Sequence, residues 1–406
     1  MVAGEERHRP DTGPRSAADR GWTSGRARFA DNLKTILIAA IIAGHAVIGY
    51  AASTDAWSYS DVREATLSPV VEAAVVPLLF AAAFVIPLLF LLAGLLTRPS
   101  LERKGVGAYV RDRLLRLGVP FVVFALVLWP LLEYALFRWL GGAPGLAEYL
   151  RAEGSLDTGV LWFVGVLLIF SLAYAGAIGA AGVIGARGLR RAAEPRAEAR
   201  EIRTGHLLVL VVAVAVATFL VRLVIPAESD NRFVDLNMWE WPACAAAFGL
   251  GIAASPAGWL VAVPDRVRRQ ARTATLVAAA GAVAFVGLAL VREVSLESMT
   301  GGWRWPALVF AAGESALGIF GAVWLLGAAQ RHLDRPLRWV SPAAVRAAYG
   351  AFLLQGPVLI GLALALRPVP VPAEVKAVVV AAAGVAASFA IASFLIRHSR
   401  FLARIL

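Results

Sequence analysis

Apolar residues fall in ten runs along the chain, near 35–52, 70–96, 117–139, 160–183, 207–225, 239–260, 275–291, 305–328, 346–366 and 374–396. Polar or charged stretches separate them. A helix rising ~1.5 Å per residue needs about twenty residues to cross a ~30 Å hydrocarbon layer, and most of these runs are of that order. The pattern predicts an all-α fold, a polytopic membrane helix bundle of about ten transmembrane helices. Pro77 and Pro87 predict kinks in the second run. Residues 1–30 show no apolar period and read as a disordered tail. Residues 31–400 form the transmembrane domain, and 401–406 are the C-terminal end.

Composition agrees with this picture. Of 406 residues, 59% are hydrophobic and 17% charged, against about 45–50% and 25% in soluble domains. A soluble enzyme, a disordered tail protein and a disulfide scaffold are excluded. The single cysteine, Cys244, has no partner for an intrachain disulfide and lies in an apolar run.

The net charge of +11 would suggest nucleic acid in a soluble protein. Here the charge sorts by side. The tail, the even-numbered connections and the C-terminus hold 30 of the 39 Lys and Arg and carry +18, whereas the rest of the chain carries −7. By the positive-inside rule both termini face the cytoplasm. The location is then the inner or plasma membrane, and the basic loops meet anionic lipid headgroups, with no nucleic acid required. A competing reading makes the first run a signal sequence cleaved near Tyr50-Ala51-Ala52-Ser53. A polar leader of about 34 residues and a histidine within the apolar stretch speak against it.

Ionisable groups within the bilayer are costly and mark functional candidates. Glu72, Glu133 and Arg222 fall close enough to the outer surface to snorkel. His45, Glu314 and Gln355 do not. Counted from the span ends they lie roughly 16, 12 and 15 Å deep, on three helices. One polar cavity is the preferred reading, over interhelical hydrogen bonds that merely hold the bundle together. The other four histidines lie in or beside basic segments. Lys34 and His45 are eleven residues apart, three turns plus about 20°, so they share one helix face. A cation at the cytoplasmic rim then lies below an imidazole suited to general-base work near neutral pH. Arg113 and Arg116 stand three apart at the mouth of the third span, where paired guanidiniums suit phosphate. No Cys/His metal spacing is present.

These residues resemble the acyltransferase-3 family of membrane O-acyltransferases. Arg28-Phe29-Ala30-Asp31-Asn32-Leu33-Lys34, followed after ten residues by His45, is similar to its first-helix signature. Arg113-Leu-Leu-Arg116 resembles its RxxR motif. Leu161-Trp162-Phe163, Trp241-Pro242 with Phe248-Gly249 and Gly251, and Ala312-Gly313-Glu314-Ser315 resemble the group related to glucan-modifying enzymes. The resemblance implies transfer of an acyl group, commonly acetyl from acetyl-CoA, to a hydroxyl of an extracytoplasmic carbohydrate or glycoconjugate. Acyl-CoA is then a co-substrate and no cofactor is permanently bound. On this resemblance His45 is the catalytic histidine; from its depth alone, Glu314 is expected to orient His45 or help hold the acceptor. Lys34, Arg113 and Arg116 serve the donor, and Gln355 and Trp162 the acceptor. The chain departs from the pattern at Gln355, where relatives often have His, and at Ala93-Gly94, where Ser-Gly is common. The runner-up reading is a transporter or exporter that uses the polar cavity as a substrate or proton path.

Overall fold

The computed structural model describes residues 28–52, 62–153, 157–184, 201–226, 236–338 and 340–405. Most of the N-terminal tail, 1–27, lies outside the described residues. Among the described residues the chain is helical, and nine helices are long and apolar enough to span a bilayer. The first, α1, is Arg28–Ile48. It begins seven residues before the apolar run, because Asn32 ties that polar turn down. Its Nδ2 donates to the carbonyls of Leu333 (2.7 Å) and Arg335 (2.9 Å). Helix α1 is packed into the bundle, with Ile42 and Ala46 fully buried.

The second apolar run divides into α2, Pro69–Ala81, and α3, Val85–Lys104, across a 3-10 turn at Ala82–Phe84. Pro87 has no N–H for the Ala83 carbonyl, so the expected kink appears just ahead of it. The helix continues through Pro77. Helix α4 runs from Val106 to Trp139 and carries two π turns, Leu114–Gly118 and Phe124–Leu128. Pro120 and Pro130 explain them. Each leaves the carbonyl four residues back, of Arg116 and of Leu126, without its α-helical donor, and the ladder widens there. The short α5, Leu146–Glu153, precedes α6, Trp162–Ile184, and α7, Thr204–Arg222.

The sixth apolar run differs from expectation. Its helix α8, Trp241–Ala254, has only 14 residues. Pro256 lacks a donor N–H and Gly258 turns the chain at φ +79°, so the run closes in turns rather than a full span. Gln330 holds those turns. Its Nε2 donates to the Trp259 carbonyl (2.7 Å) and its Oε1 accepts from the Val263 N–H (2.8 Å). The remaining helices are α9, Asp265–Val291; α10, Leu296–Thr300; α11, Trp305–His332; α12, Pro342–Leu366; α13, Ala373–His398; and α14, Leu402–Ile405.

Helix α8 crosses α3 backbone to backbone. A Cβ on Gly94 would lie 2.2 Å from the Phe248 carbonyl oxygen, and one on Gly251 2.3 Å from that of Leu91. Small residues permit this approach, and dispersion between the two backbones follows from it. Gly251→Ala should cost about 1–3 kcal/mol through overpacking, read as a lower unfolding midpoint in detergent. An unchanged midpoint would show that the crossing can open freely.

The contacts sort the helix ends into two poles. One gathers the start of α1 with residues 333–335, Thr204 with Gln270, and Arg331 with Asp265. It holds the described basic residues around 203–204, 265–272 and 331–335. The opposite pole gathers the end of α1 with the start of α13. There the Leu67 N–H donates to the Tyr50 carbonyl (2.9 Å), Ser68 N–H donates to Glu374 Oε1 (2.8 Å), and Lys376 pairs with Glu64. Tyr50, Ala51 and Val62 are fully buried, so the described residues on either side of 53–61 pack into the bundle.

Candidate active site

His45 lies in the last turn of α1, about 25 Å from its start at ~1.5 Å per residue. That is nearer the opposite pole than the middle of the helix. The expected level shared with Gln355 is nevertheless present, because His45 Nδ1 stands 2.9 Å from Gln355 Oε1. Gln355, on α12, is fully buried, and its Nε2 donates to the Phe352 carbonyl at 3.1 Å. This second bond fixes the amide. With its nitrogen committed, the amide presents oxygen to the imidazole, and oxygen only accepts. Nδ1 therefore carries the proton, and the lone pair of the neutral ring lies on Nε2.

Trp129 packs behind this pair. A Cβ on Gly356 would lie 2.9 Å from its ring, so glycine beside Gln355 lets the indole lie against α12. Trp129 Nε1 donates to Asp157 Oδ2 (2.8 Å), and Asp157 Oδ1 accepts from the Gly159 N–H (2.7 Å). The sequence reading missed Trp129 and Asp157. Their signal is the short Asp157-Thr-Gly159 turn before α6, where Gly159 takes φ +49°.

Trp162 begins α6 and is half-buried. It abuts Phe163 edge-on at 6.5 Å, and Phe163 meets Phe352 at 5.9 Å. The rings continue through Phe90 (4.8 Å from Phe163), Phe170 (5.7 Å from Phe90) and Trp241 (5.7 Å from Phe170). This row joins the helix bearing Gln355 to the start of α8.

Glu314 has a partner that the sequence did not suggest. Its Oε2 stands 2.8 Å from Arg222 Nη1. Arg222 was expected to snorkel outward. Instead its side chain is 2% exposed, enclosed by Trp239 and Phe310 with ring centroids 5.4 and 5.8 Å from Cζ. Glu240 lies within electrostatic reach of both Arg222 and Glu314. Depth along a helix gave its height but not the direction its side chain takes.

At the basic pole, Arg113 and Arg116 are gathered around Asp112. Lys104 Nζ lies 2.9 Å and Arg116 Nε 3.3 Å from its carboxylate, and the charge of Arg113 also reaches it. Arg113 lies over the Tyr109 ring at 5.0 Å, and its buried Nε has no hydrogen-bond partner. Arg116 is mostly exposed. Lys34 is half-buried, eleven residues toward this pole from His45.

Nine apolar helices long enough to span a bilayer among the described residues, with a histidine and an amide paired between α1 and α12, mark a multi-pass membrane protein. The chain belongs to the acyltransferase-3 family, whose model, an acyltransferase domain, matches residues 28–397. It is therefore a membrane acyltransferase. No curated protein and no solved structure matches it.

Proposed function

We propose that the protein transfers an acyl group, acetyl in the simplest case, from acyl-CoA to a hydroxyl of a carbohydrate or glycoconjugate, with His45 as general base. The basic pole faces the cytoplasm, together with both termini, and the acceptor arrives from the extracytoplasmic side of the cell membrane. What carries this reading is the hydrogen bond between His45 and Gln355, which leaves the basic electron pair on Nε2.

The step balances with this chain's own groups. Nε2 takes the proton of the acceptor hydroxyl as its oxygen attacks the thioester carbonyl. The C–S bond breaks, the new C–O ester forms, and the departing CoA thiolate takes the proton back from the imidazolium. Arg113, Arg116 and Lys34 hold the phosphates of the donor, a task for which guanidinium forks are suited. Trp162 offers an aromatic face to the acceptor. Glu314 serves the acceptor rather than the ring of His45, in keeping with its bond to Arg222.

The amide of Gln355 positions the ring without touching the reacting atoms. Gln355→Ala should therefore lower kcat about 5- to 150-fold, the equivalent of about 1–3 kcal/mol for a buried hydrogen bond, while the KM for acetyl-CoA stays near that of the parent. The measurement is transfer of labelled acetyl from acetyl-CoA to membrane glycans. Unaltered kcat would remove the amide from the mechanism, and no transfer by the parent protein would remove acetyl-CoA as donor.

A further inference from the structure

Around the second π turn of α4, Leu126, Val127, Leu128 and Leu131 are 47–58% exposed, whereas Trp129 is fully buried. The π turn Phe124–Leu128 ends at Trp129. One extra residue in a turn shifts the helix faces beyond it by about 100°, and the indole that follows points into the bundle. Phe124 stacks on it with ring centroids 5.5 Å apart. Two glycines make room for it. A Cβ on Gly159 would lie 2.8 Å from its ring, and one on Gly356 2.9 Å. Gly356 follows Gln355 in α12, so the indole lies against the backbone beside the amide that holds His45.

The indole is also fixed in orientation. Its Nε1 donates to Asp157 Oδ2 at 2.8 Å, while Asp157 Oδ1 accepts from the Gly159 N–H at 2.7 Å. Both carboxylate oxygens are used, each by one donor. An asparagine there could accept from only one of the two and would turn its own amide donor toward the other. Filling space asks only for an apolar side chain of the right volume. An N–H held by an ionised acceptor adds direction, because such bonds are shorter and stronger than neutral ones. Contacts therefore run in sequence from Asp157 through Trp129 and Gly356 to Gln355, and from there to His45 Nδ1.

We infer that Trp129 and Asp157 are positioning residues for the acyl transfer. Their hydrogen bond sets the indole, the indole fixes α12 at Gln355, and Gln355 orients the imidazole of His45. Neither residue touches the reacting atoms. The inference rests on the acyltransfer reading above and extends the support of His45 from one amide to a strut anchored in the turn before α6.

The test is a mutant cycle read as transfer of labelled acetyl from acetyl-CoA to membrane glycans, with kcat expressed per folded protein in detergent. Asp157→Asn keeps the size of the side chain, and Trp129→Phe keeps an aromatic ring without its N–H. Each should lower kcat about 10- to 100-fold, since a misplacement of about 1 Å at the reacting centre can cost about 10²-fold. The KM for acetyl-CoA should stay near that of the parent. In a Gln355→Ala background, Asp157→Asn should cost no more than about a further twofold, because both changes then act on the same ring. A purely structural role would instead lower the unfolding midpoint and multiply with Gln355→Ala. Where Trp129→Phe folds poorly, the milder Asp157→Asn decides. A kcat close to that of the parent in Asp157→Asn, a loss carried by KM, or full multiplication with Gln355→Ala overturns the inference. No transfer by the parent protein overturns the underlying donor reading instead.

Discussion

His45→Ala is expected to lower kcat for acyl transfer by about 10²–10⁴-fold, the range that a positioned general base contributes. The argument runs through geometry. Nδ1 is held by Gln355 at 2.9 Å, which orients the ring and places the basic lone pair of its neutral form on Nε2. His45→Asn separates the two tasks. An asparagine side chain can meet the Gln355 amide but has no basic lone pair, so it should be as inactive as alanine while leaving the bundle better packed. Acetyl transfer in membranes, at equal protein levels, is the measurement. Activity within a few-fold of the parent in either variant would end the assignment of His45 as base.

Arg222→Ala is expected to destabilise the folded bundle by about 3–5 kcal/mol, because removing one partner of a buried pair leaves an uncompensated charge. Here two carboxylates are left behind, Glu314 at 2.8 Å and Glu240 within electrostatic reach. The double variant Arg222→Met with Glu314→Gln removes both members of the close pair and should recover part of the loss. Unfolding midpoints in detergent give the comparison. If Arg222→Ala shifts the midpoint no more than an exposed substitution does, within about 0.5 kcal/mol, the guanidinium is not the anchor of this cluster.

The long helices were legible because lipid demands runs of apolar residues, and a common level for His45 and Gln355 was legible because both could be counted from span ends; the hydrogen bond between them was not. What escaped has common causes. Arg222 lies at the last residue of α7, where a long side chain can turn outward or inward, and only the neighbouring helices decide which. Glu240 is flanked by Trp239 and Trp241, a pattern shared with interfacial anchors. The early end of α8 depends on Pro256 and Gly258 inside a run that hydropathy alone joins to its neighbours. The π turns of α4 depend on where Pro120 and Pro130 withdraw donors, which affects local pitch and leaves the apolar pattern intact. The refolding of residues 62–68 onto the end of α1 relies on single polar contacts such as Ser68 with Glu374, which have no periodicity to reveal them.

The row of rings from Phe352 through Phe163, Phe90 and Phe170 to Trp241 has a further meaning for traffic through the molecule. Phenyl groups carry no exchangeable hydrogen, and the one indole N–H in the row is committed to the Leu236 carbonyl at 2.9 Å. The row therefore acts as insulation. The row itself holds no hydrogen-bonded relay between α12 and the start of α8.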